Sequence, residues 1–359
     1  MRVLVAPDSF SGTLTAPEAA AAVATGWARR APQDVLDLAP MSDGGAGFVD
    51  VVGSALEGEL LATTVRGPHG SPVPAAVLLA DGVAWVEGAQ ACGRHLVADA
   101  VTASSHGVGE LVAAAADAGA TEVRVGLGGV GTLDGGAGML AALGAVADGP
   151  LDQGVVGLPG VGQVDTAPAS ARLSGVRLVA ASDVDRPLTG LLGTVRSTGP
   201  DLGLTERDLP GLDATLEAWA GSVDRRVSLE PGAGAAGGLG YALLLLGAAR
   251  EPGVGLVARA VGLDRRARSA DLVLTGEGAF DFSSRSGTVP HGVAGVAAAA
   301  LRPCVALAGR VEVGAREMRA LGIESAYGVV ELVGEERALA DPAGALADLA
   351  ERVARTWSR

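Results

Sequence analysis

The sequence predicts an α/β protein: a Rossmann/flavodoxin-like parallel-sheet domain with a second α/β domain inserted into it. Three observations carry that expectation. Short apolar runs alternate with small-residue helices at both ends of the chain. The middle opens instead with three β-rich segments too close together for helical crossovers. The length, 359 residues, exceeds what one core usually fills. The expected division is 1–57 plus 269–359 for the discontinuous parallel-sheet domain and 58–268 for the insert.

Each element has a local reason. Val3–Val5 is an apolar run at the start of the chain and reads as the first strand. Ala16–Arg29 follows as a helix, with Pro17 in its first turn and Thr15 as N-cap. Val35–Leu38 is the second strand and Gly47–Leu56 the second helix. In the insert, Leu60–Arg66, Val73–Leu79 and Val83–Glu87 are joined by Gly/Pro/Asp turns and read as antiparallel. Helices over Val108–Ala118, Ala137–Leu143, Leu212–Ala220 and Ala235–Ala248 are interleaved with strands Val123–Leu127 and Val176–Ala180. The Gly/Pro/Ala-rich stretch Asp148–Ser174 reads as a loop. Toward the C-terminus, strands Leu272–Leu274, Cys304–Ala308 and Ser325–Val330 alternate with helices Val289–Leu301, Ala315–Leu321 and Ala343–Thr356. Two strands at the front and three at the back complete one five-stranded sheet covered on both faces.

Composition narrows the function. Aromatic residues make up 3% and glycines number 55, so the core is built from Ala, Val and Leu. The net charge of −14 argues against nucleic acid and anionic membranes as partners. All 27 basic residues are arginine, so no step uses a lysine amine and a Walker P-loop is excluded. Cys92 and Cys304 are isolated and read as free thiols. No apolar run reaches the ~18 residues of a membrane span, and no signal peptide is evident, so a cytoplasmic location is expected. A homodimer is left open.

The chemistry sits in three Gly-Asp knots near strand ends: Ser42-Asp43-Gly44-Gly45-Ala46-Gly47, the run Gly128–Gly138 with Asp134 in its middle, and Thr275-Gly276-Glu277-Gly278-Ala279-Phe280-Asp281. Glycine admits a close ligand approach, and a helix start beyond it presents N–H groups to phosphate. Carboxylates beside such glycines would repel phosphate unless a divalent cation intervened, which points to phosphoryl transfer with Mg²⁺. Asp43 is either metal ligand or base, or else an Asp-Gly turn residue. Gly128, Gly129, Gly131, Gly135 and Gly136 either cradle phosphate or serve packing. Asp183 and Asp185, two apart after a strand, either share a metal or cap a turn before Pro187. Glu277 and Asp281 either reach a ligand at the sheet edge or join a cap with Ser283 or Ser284. His69, His95, His106 and His291 show no metal-ligand spacing.

Seven motifs then stand in an order that resembles the type I glycerate kinases. They are Ala6-Pro7-Asp8-Ser9-Phe10, Asp43-Gly44-Gly45, Gly128-Gly129, Asp134-Gly135-Gly136-Ala137-Gly138-Met139, Asp183-Val184-Asp185-Arg186-Pro187-Leu188-Thr189-Gly190, the run Gly232–Gly240, and Thr275-Gly276-Glu277-Gly278. The resemblance spans essentially the whole chain. It implies ATP- and Mg²⁺-dependent phosphorylation of D-glycerate to 2-phosphoglycerate on a Rossmann-like domain with a second α/β domain inserted. On this reading Asp43, Asp183 and Glu277 are catalytic, and Asp134 and Asp183 are metal ligands. Asp8, Ser9, Gly44, Gly45, Gly128, Gly129, Gly131, Asp134, Gly135, Gly136, Gly276, Gly278 and Asp281 bind the small hydroxy acid and the nucleotide.

Departures accompany the matches. Where the family carries Lys after Asp-Ser-Phe, this chain has Ser11; Val130 and Leu133 replace Ser and Asn in the Gly-Gly loop. Arg186 stands for Asn, Leu202 and Thr288 for Lys, and Ala279 for Arg. They raise the alternatives of a catalytically degenerate kinase-fold protein that binds or regulates, or a kinase for another small hydroxy acid. Arg94, Arg186 and Arg285 are candidates to replace the lost cations.

Overall fold

A computed structural model describes residues 1–358 except Ser11 and Ser286; for Ser283 and Arg285 it describes the backbone alone. The strands of the two main sheets are, in chain order, β1 (Arg2–Pro7), β2 (Val35–Leu38), β3 (Glu59–Arg66), β4 (Pro72–Ala80), β5 (Val83–Glu87), β6 (Glu122–Gly126), β7 (Arg177–Ala181), β8 (Ala249–Glu251), β9 (Leu272–Gly276), β10 (Cys304–Ala308) and β11 (Ser325–Gly328). The chain forms two compact units. Met1–Asp43, Asp50–Leu56 and Gly253–Arg359 make the first, and Gly44–Val49 with Glu57–Pro252 the second.

The first unit holds a five-stranded sheet in the order β11-β10-β9-β1-β2, all parallel. The chain runs outward from β1 to β2, then crosses to the other side for β9, β10 and β11. That reversal is the flavodoxin-like order, and it leaves a crevice at the C-terminal ends of β1 and β9. Val3, Val5, Leu272, Leu274, Val305 and Leu307 point to one face. They pack on Ala19, Ala20, Val23 and Trp27 of the helix Ala16–Arg30 and on Leu346, Leu349, Ala350 and Val353 of the helix Pro342–Trp357. Thr15 and Glu18 close a reciprocal capping box at the start of the first helix, as the Thr-x-x-Glu spacing requires. Such a cap is worth about 1 kcal/mol.

The second unit holds a six-stranded mixed sheet, β8-β7-β6-β5-β4-β3. β3, β4 and β5 form an antiparallel meander; β5, β6, β7 and β8 run parallel. Its core gathers the apolar faces of β4–β7 and the helices His106–Asp117, Leu209–Val223 and Leu239–Leu245. Cys92 and Cys304 are both buried free thiols. Among the described residues no helix is long and apolar enough to cross a membrane.

Local differences from the sequence reading have physical causes. The helix expected over Ala235–Ala248 begins only at Leu239, because Ala236 and Gly237 adopt left-handed backbone. The strand at Ser325 ends at Gly328, and Val329–Val333 is helical. The expected loop Asp148–Ser174 contains the helix Ala167–Arg172 and the strand Val164–Asp165, which pairs with Val146–Ala147. The helices Gly253–Ala260 and Leu263–Arg268 lie in the first unit, where Arg266 pairs with Asp37 of β2.

Candidate active site

The crevice of the first unit is lined with acids. β1 ends at Pro7 and delivers Asp8 and Ser9. β9 ends at Gly276 and delivers Glu277 and Gly278. Asp8 N–H donates to Gly276 O at 2.8 Å, which continues the strand pairing one residue past the sheet. Met41 N–H donates to Pro7 O at 2.9 Å and holds the segment after β2 alongside, bringing up Ser42 and Asp43. Asp8 and Glu277 both feel the charge of Asp43, and Asp8 that of Glu277.

Burial raises the Asp8 carboxyl well above the usual carboxylate range. Repulsion from Asp43 and Glu277 adds to that, against one hydrogen bond from Ser9 N–H at 2.7 Å. Glu277 is pushed up to about 7, again by burial first and by Asp281 and Asp43 besides. The Ser284 hydroxyl donates to Glu277 Oε1 at 2.5 Å and opposes the rise. The same Ser284 oxygen accepts from Asp281 N–H at 3.1 Å, so the segment after β9 is folded back on itself around a buried serine. Three half-buried carboxyl groups at one sheet edge form a negative well that a proton or a cation relieves.

The second unit uses its acids and glycines differently. Asp134 is fully buried. Its Oδ2 accepts from Ser105 N–H at 2.7 Å, Ser105 Oγ–H at 2.8 Å and Gly138 N–H at 3.2 Å, and its Oδ1 from Gly136 N–H at 3.1 Å. Ser105 is the residue before the helix His106–Asp117, so the carboxylate pins the glycine loop to a helix start. Burial still raises this carboxyl, while the four hydrogen bonds act to lower it.

The glycines there serve close packing. A Cβ on Gly128 would stand 2.5 Å from Gly45 Cα, and Gly128 N–H donates to Gly44 O at 3.0 Å. A Cβ on Gly237 would stand 1.6 Å from Thr132 O, and Gly135 N–H donates to Gly237 O at 3.0 Å. The loop Gly128–Gly138, including Gly129, Gly131 and Gly136, is thus braced by Gly44-Gly45 on one side and by the segment Gly232–Gly240 on the other.

Asp183 is half-buried just beyond β7. Asp185 is exposed and forms an ion pair with Arg250 at 2.6 Å, while Arg186 bonds the Ser197 hydroxyl. Arg250 also donates to Val184 O at 3.2 Å.

Similarity to known proteins agrees with this architecture. The model of the glycerate kinase family matches residues 3–358. The chain belongs to the glycerate kinase family. It is 35% identical to the glycerate 2-kinase of Escherichia coli, over 93% of this chain and 92% of that one. It is 42% identical to the uncharacterized protein Mb2228c of Mycobacterium bovis, over 99% of this chain and 91% of that one. The crystal structure of a protein assigned as glycerate kinase 2 from Salmonella typhimurium LT2 superimposes with a TM-score of 0.81 at 34% identity, covering 99% of this chain and 98% of that one.

In this glycerate kinase family member several departures fall in the core. Leu133 is fully buried and Val130 nearly so, and Val130 belongs to the apolar core of the second unit. Thr288 donates its hydroxyl to Ser284 O at 3.2 Å. Ser11 and the side chain of Arg285 lie outside the described residues. Arg94 stands 3.9 Å from Asp201, both largely exposed.

Two groups escaped the sequence reading. Glu87, at the end of β5, is buried and accepts from Gly47 N–H at 3.1 Å and Val49 N–H at 3.4 Å. Ser105 carries the Asp134 anchor. Glu87-Gly88 repeats the acid-then-glycine signature of positions 43 and 277, which was signal enough to find it. Ser105 had none, because its partner is 29 residues away.

Proposed function

We propose that this protein transfers the γ-phosphoryl group of ATP to the 2-hydroxyl of D-glycerate, giving 2-phosphoglycerate and ADP. The observation that carries the reading is the crevice of Asp8, Asp43 and Glu277 at the topological switch point of a chain in the glycerate kinase family. Family membership and the similarity to the glycerate 2-kinase of Escherichia coli support the substrate.

Glu277 is the proposed general base. With a pKa of about 7 it is partly ionised at neutral pH and still basic enough to take the hydroxyl proton. The glycerate oxygen bonds to the γ-phosphorus, the bond from that phosphorus to the bridging β-oxygen breaks, ADP departs, and the proton rests on Glu277. Ser284 orients the carboxylate through Oε1.

Asp8 and Asp43 are the proposed holders of Mg²⁺, being hard oxygen donors whose charges act on each other at the sheet edge. Among the described residues no group of three or more His, Cys, Asp or Glu side chains is close enough to hold a metal alone. This suits Mg²⁺, which usually takes one or two carboxylates and completes its shell with water and substrate phosphates. When bound, the ion supplies charge neutralisation on the polyphosphate. Asp183, half-buried after β7, is the acid of the second unit proposed to meet a ligand. Asp134 is proposed as a scaffold residue, because all its bonds run to its own unit. The degenerate-fold alternative is not favoured: the acidic crevice is intact, and Val130 and Leu133 are accounted for as core.

The test is direct [γ-³²P]ATP transfer to D-glycerate and a panel of hydroxy acids, with the product identified by NMR. Formation of 2-phosphoglycerate, lost in Asp43→Asn and Glu277→Gln, is expected. Absence of transfer to every acceptor at millimolar enzyme-saturating ATP would overturn the reading.

A further inference from the structure

We propose that a small apolar cavity beside the acidic crevice seats the purine base of the nucleotide co-substrate; the inference rests on the kinase reading above. The cavity has a volume of about 210 Å³ and lies within the first unit. Its walls include Phe10, Leu14, Gly278, Arg310, Val330 and Leu339. Those residues come from the segments that follow β1, β9, β10 and β11, so the cavity sits at the C-terminal edge of the parallel sheet, where such folds take ligands.

Position ties it to the carboxylates. Phe10 is two residues past Asp8, and Gly278 adjoins Glu277. Backbone of two neighbouring strand ends is joined at its lining: Gly309 N–H donates to Glu277 O at 3.0 Å and Arg310 N–H to Gly278 O at 3.1 Å. A ligand ring in the cavity therefore starts one or two residues from the groups proposed to meet the phosphates.

Size and chemistry choose the occupant. Sites that enclose a whole ligand commonly measure about 300–1,000 Å³. This one is smaller and fits a single ring system with the rest of the molecule outside. Its walls are mostly aliphatic, and its charges at the rim, Arg310 and Glu335, are paired with each other. Glycerate, small and anionic, would lose its hydration there with nothing to replace it. A neutral heterocycle loses little and gains contact with Leu339, which is 64% exposed. The planar guanidinium of Arg310 offers a stacking surface, and the exposed Glu335 carboxylate can accept a hydrogen bond from an exocyclic amine.

The test uses the full chain and reads binding rather than turnover. Photolabelling with 8-azido-ATP should mark peptides covering residues 309–346, with protection by excess ATP and none by D-glycerate. Two variants sharpen it. Ala338→Trp fills the cavity, and Leu339→Asp puts a charge on a side chain exposed enough to leave the fold intact. Each should raise the Kd for ATP, measured by calorimetry, roughly tenfold or more, with D-glycerate binding unchanged. ATP-protected label confined to other peptides, or an unchanged ATP Kd in folded Leu339→Asp, would overturn the base site and leave the kinase reading standing. A wild-type protein that binds no ATP would overturn both.

Discussion

Asp134 and Glu277 are both acids beside glycines and both are raised by burial, yet the two units treat them in opposite ways. Around Asp134 the protein supplies four donors. Around Glu277 it supplies one hydroxyl and then two further acids. A desolvated carboxylate surrounded by N–H and O–H groups has its charge answered from within and holds the chain together. One surrounded by like charge is costly in the isolated protein, and the cost falls when a cation or proton arrives. The proposed roles, scaffold for Asp134 and base for Glu277, rest on that difference in donors and charges.

The comparison breaks most visibly in activity. Glu277→Gln should lower kcat by about 10²–10⁴, the range for losing a general base, while leaving the unfolding temperature equal or higher, since a repelled charge is removed. Steady-state kinetics paired with calorimetry checks this. A rate loss accompanied by an equal collapse of stability would place Glu277 with Asp134 after all.

Asp134→Ala should do the reverse. It leaves three backbone N–H groups and the Ser105 hydroxyl without their acceptor in a buried place. Each such orphan costs about 1–3 kcal/mol before relaxation, so we expect a loss of roughly 3–5 kcal/mol in unfolding free energy. Urea denaturation would show it. A stable Asp134→Ala protein with selectively lost nucleotide or metal binding would return Asp134 to the site.

Why the two looked alike in sequence is instructive. The five-stranded parallel sheet was legible because local apolar runs and helix caps, such as Thr15 with Glu18, are written in neighbouring residues. The antiparallel meander was legible for the same reason. The site was less so. Gly128 reads in sequence as part of a phosphate loop or as a packing contact, and the packing is set by a backbone that approaches from far along the chain, at Gly45; Gly237 packs likewise on Thr132. Ser105 was invisible as the partner of Asp134. The repulsion among Asp8, Asp43 and Glu277 depends on a strand order that no local pattern contains.

A third prediction concerns pH. With Glu277 titrating at about 7, kcat/KM should fall roughly tenfold per unit as pH drops below 7 and level off above it. Stability should run the other way. The folded protein holds this proton to higher pH than the unfolded chain, whose glutamate titrates near 4.5. The folded state therefore binds more protons between about 4.5 and 7, and its stability falls as pH rises through that window. The contribution is at most ~3 kcal/mol, less whatever solvent screening removes. Glu277→Gln should flatten both profiles. A pH–rate curve unchanged in the variant would assign the ionisation to another group.

The smallest effect belongs to an acid that is already answered by a cation. Asp185 is paired with Arg250 across 2.6 Å, but its side chain is 76% exposed. Exposed pairs of this kind contribute about 0–1 kcal/mol and weaken with salt. Asp185→Asn should therefore shift the unfolding midpoint slightly at low ionic strength and not at all in high salt, with kcat changed by less than about threefold. Asp183→Asn, two residues earlier, is the internal control. Asp183 is more buried and is proposed to meet a ligand, so its loss should raise KM for glycerate or the Mg²⁺ requirement at any salt concentration. Equal, salt-sensitive effects of the two substitutions would mean that Asp183 is one more paired surface acid, and the list of working carboxylates would shrink to the three at the ends of β1, β2 and β9.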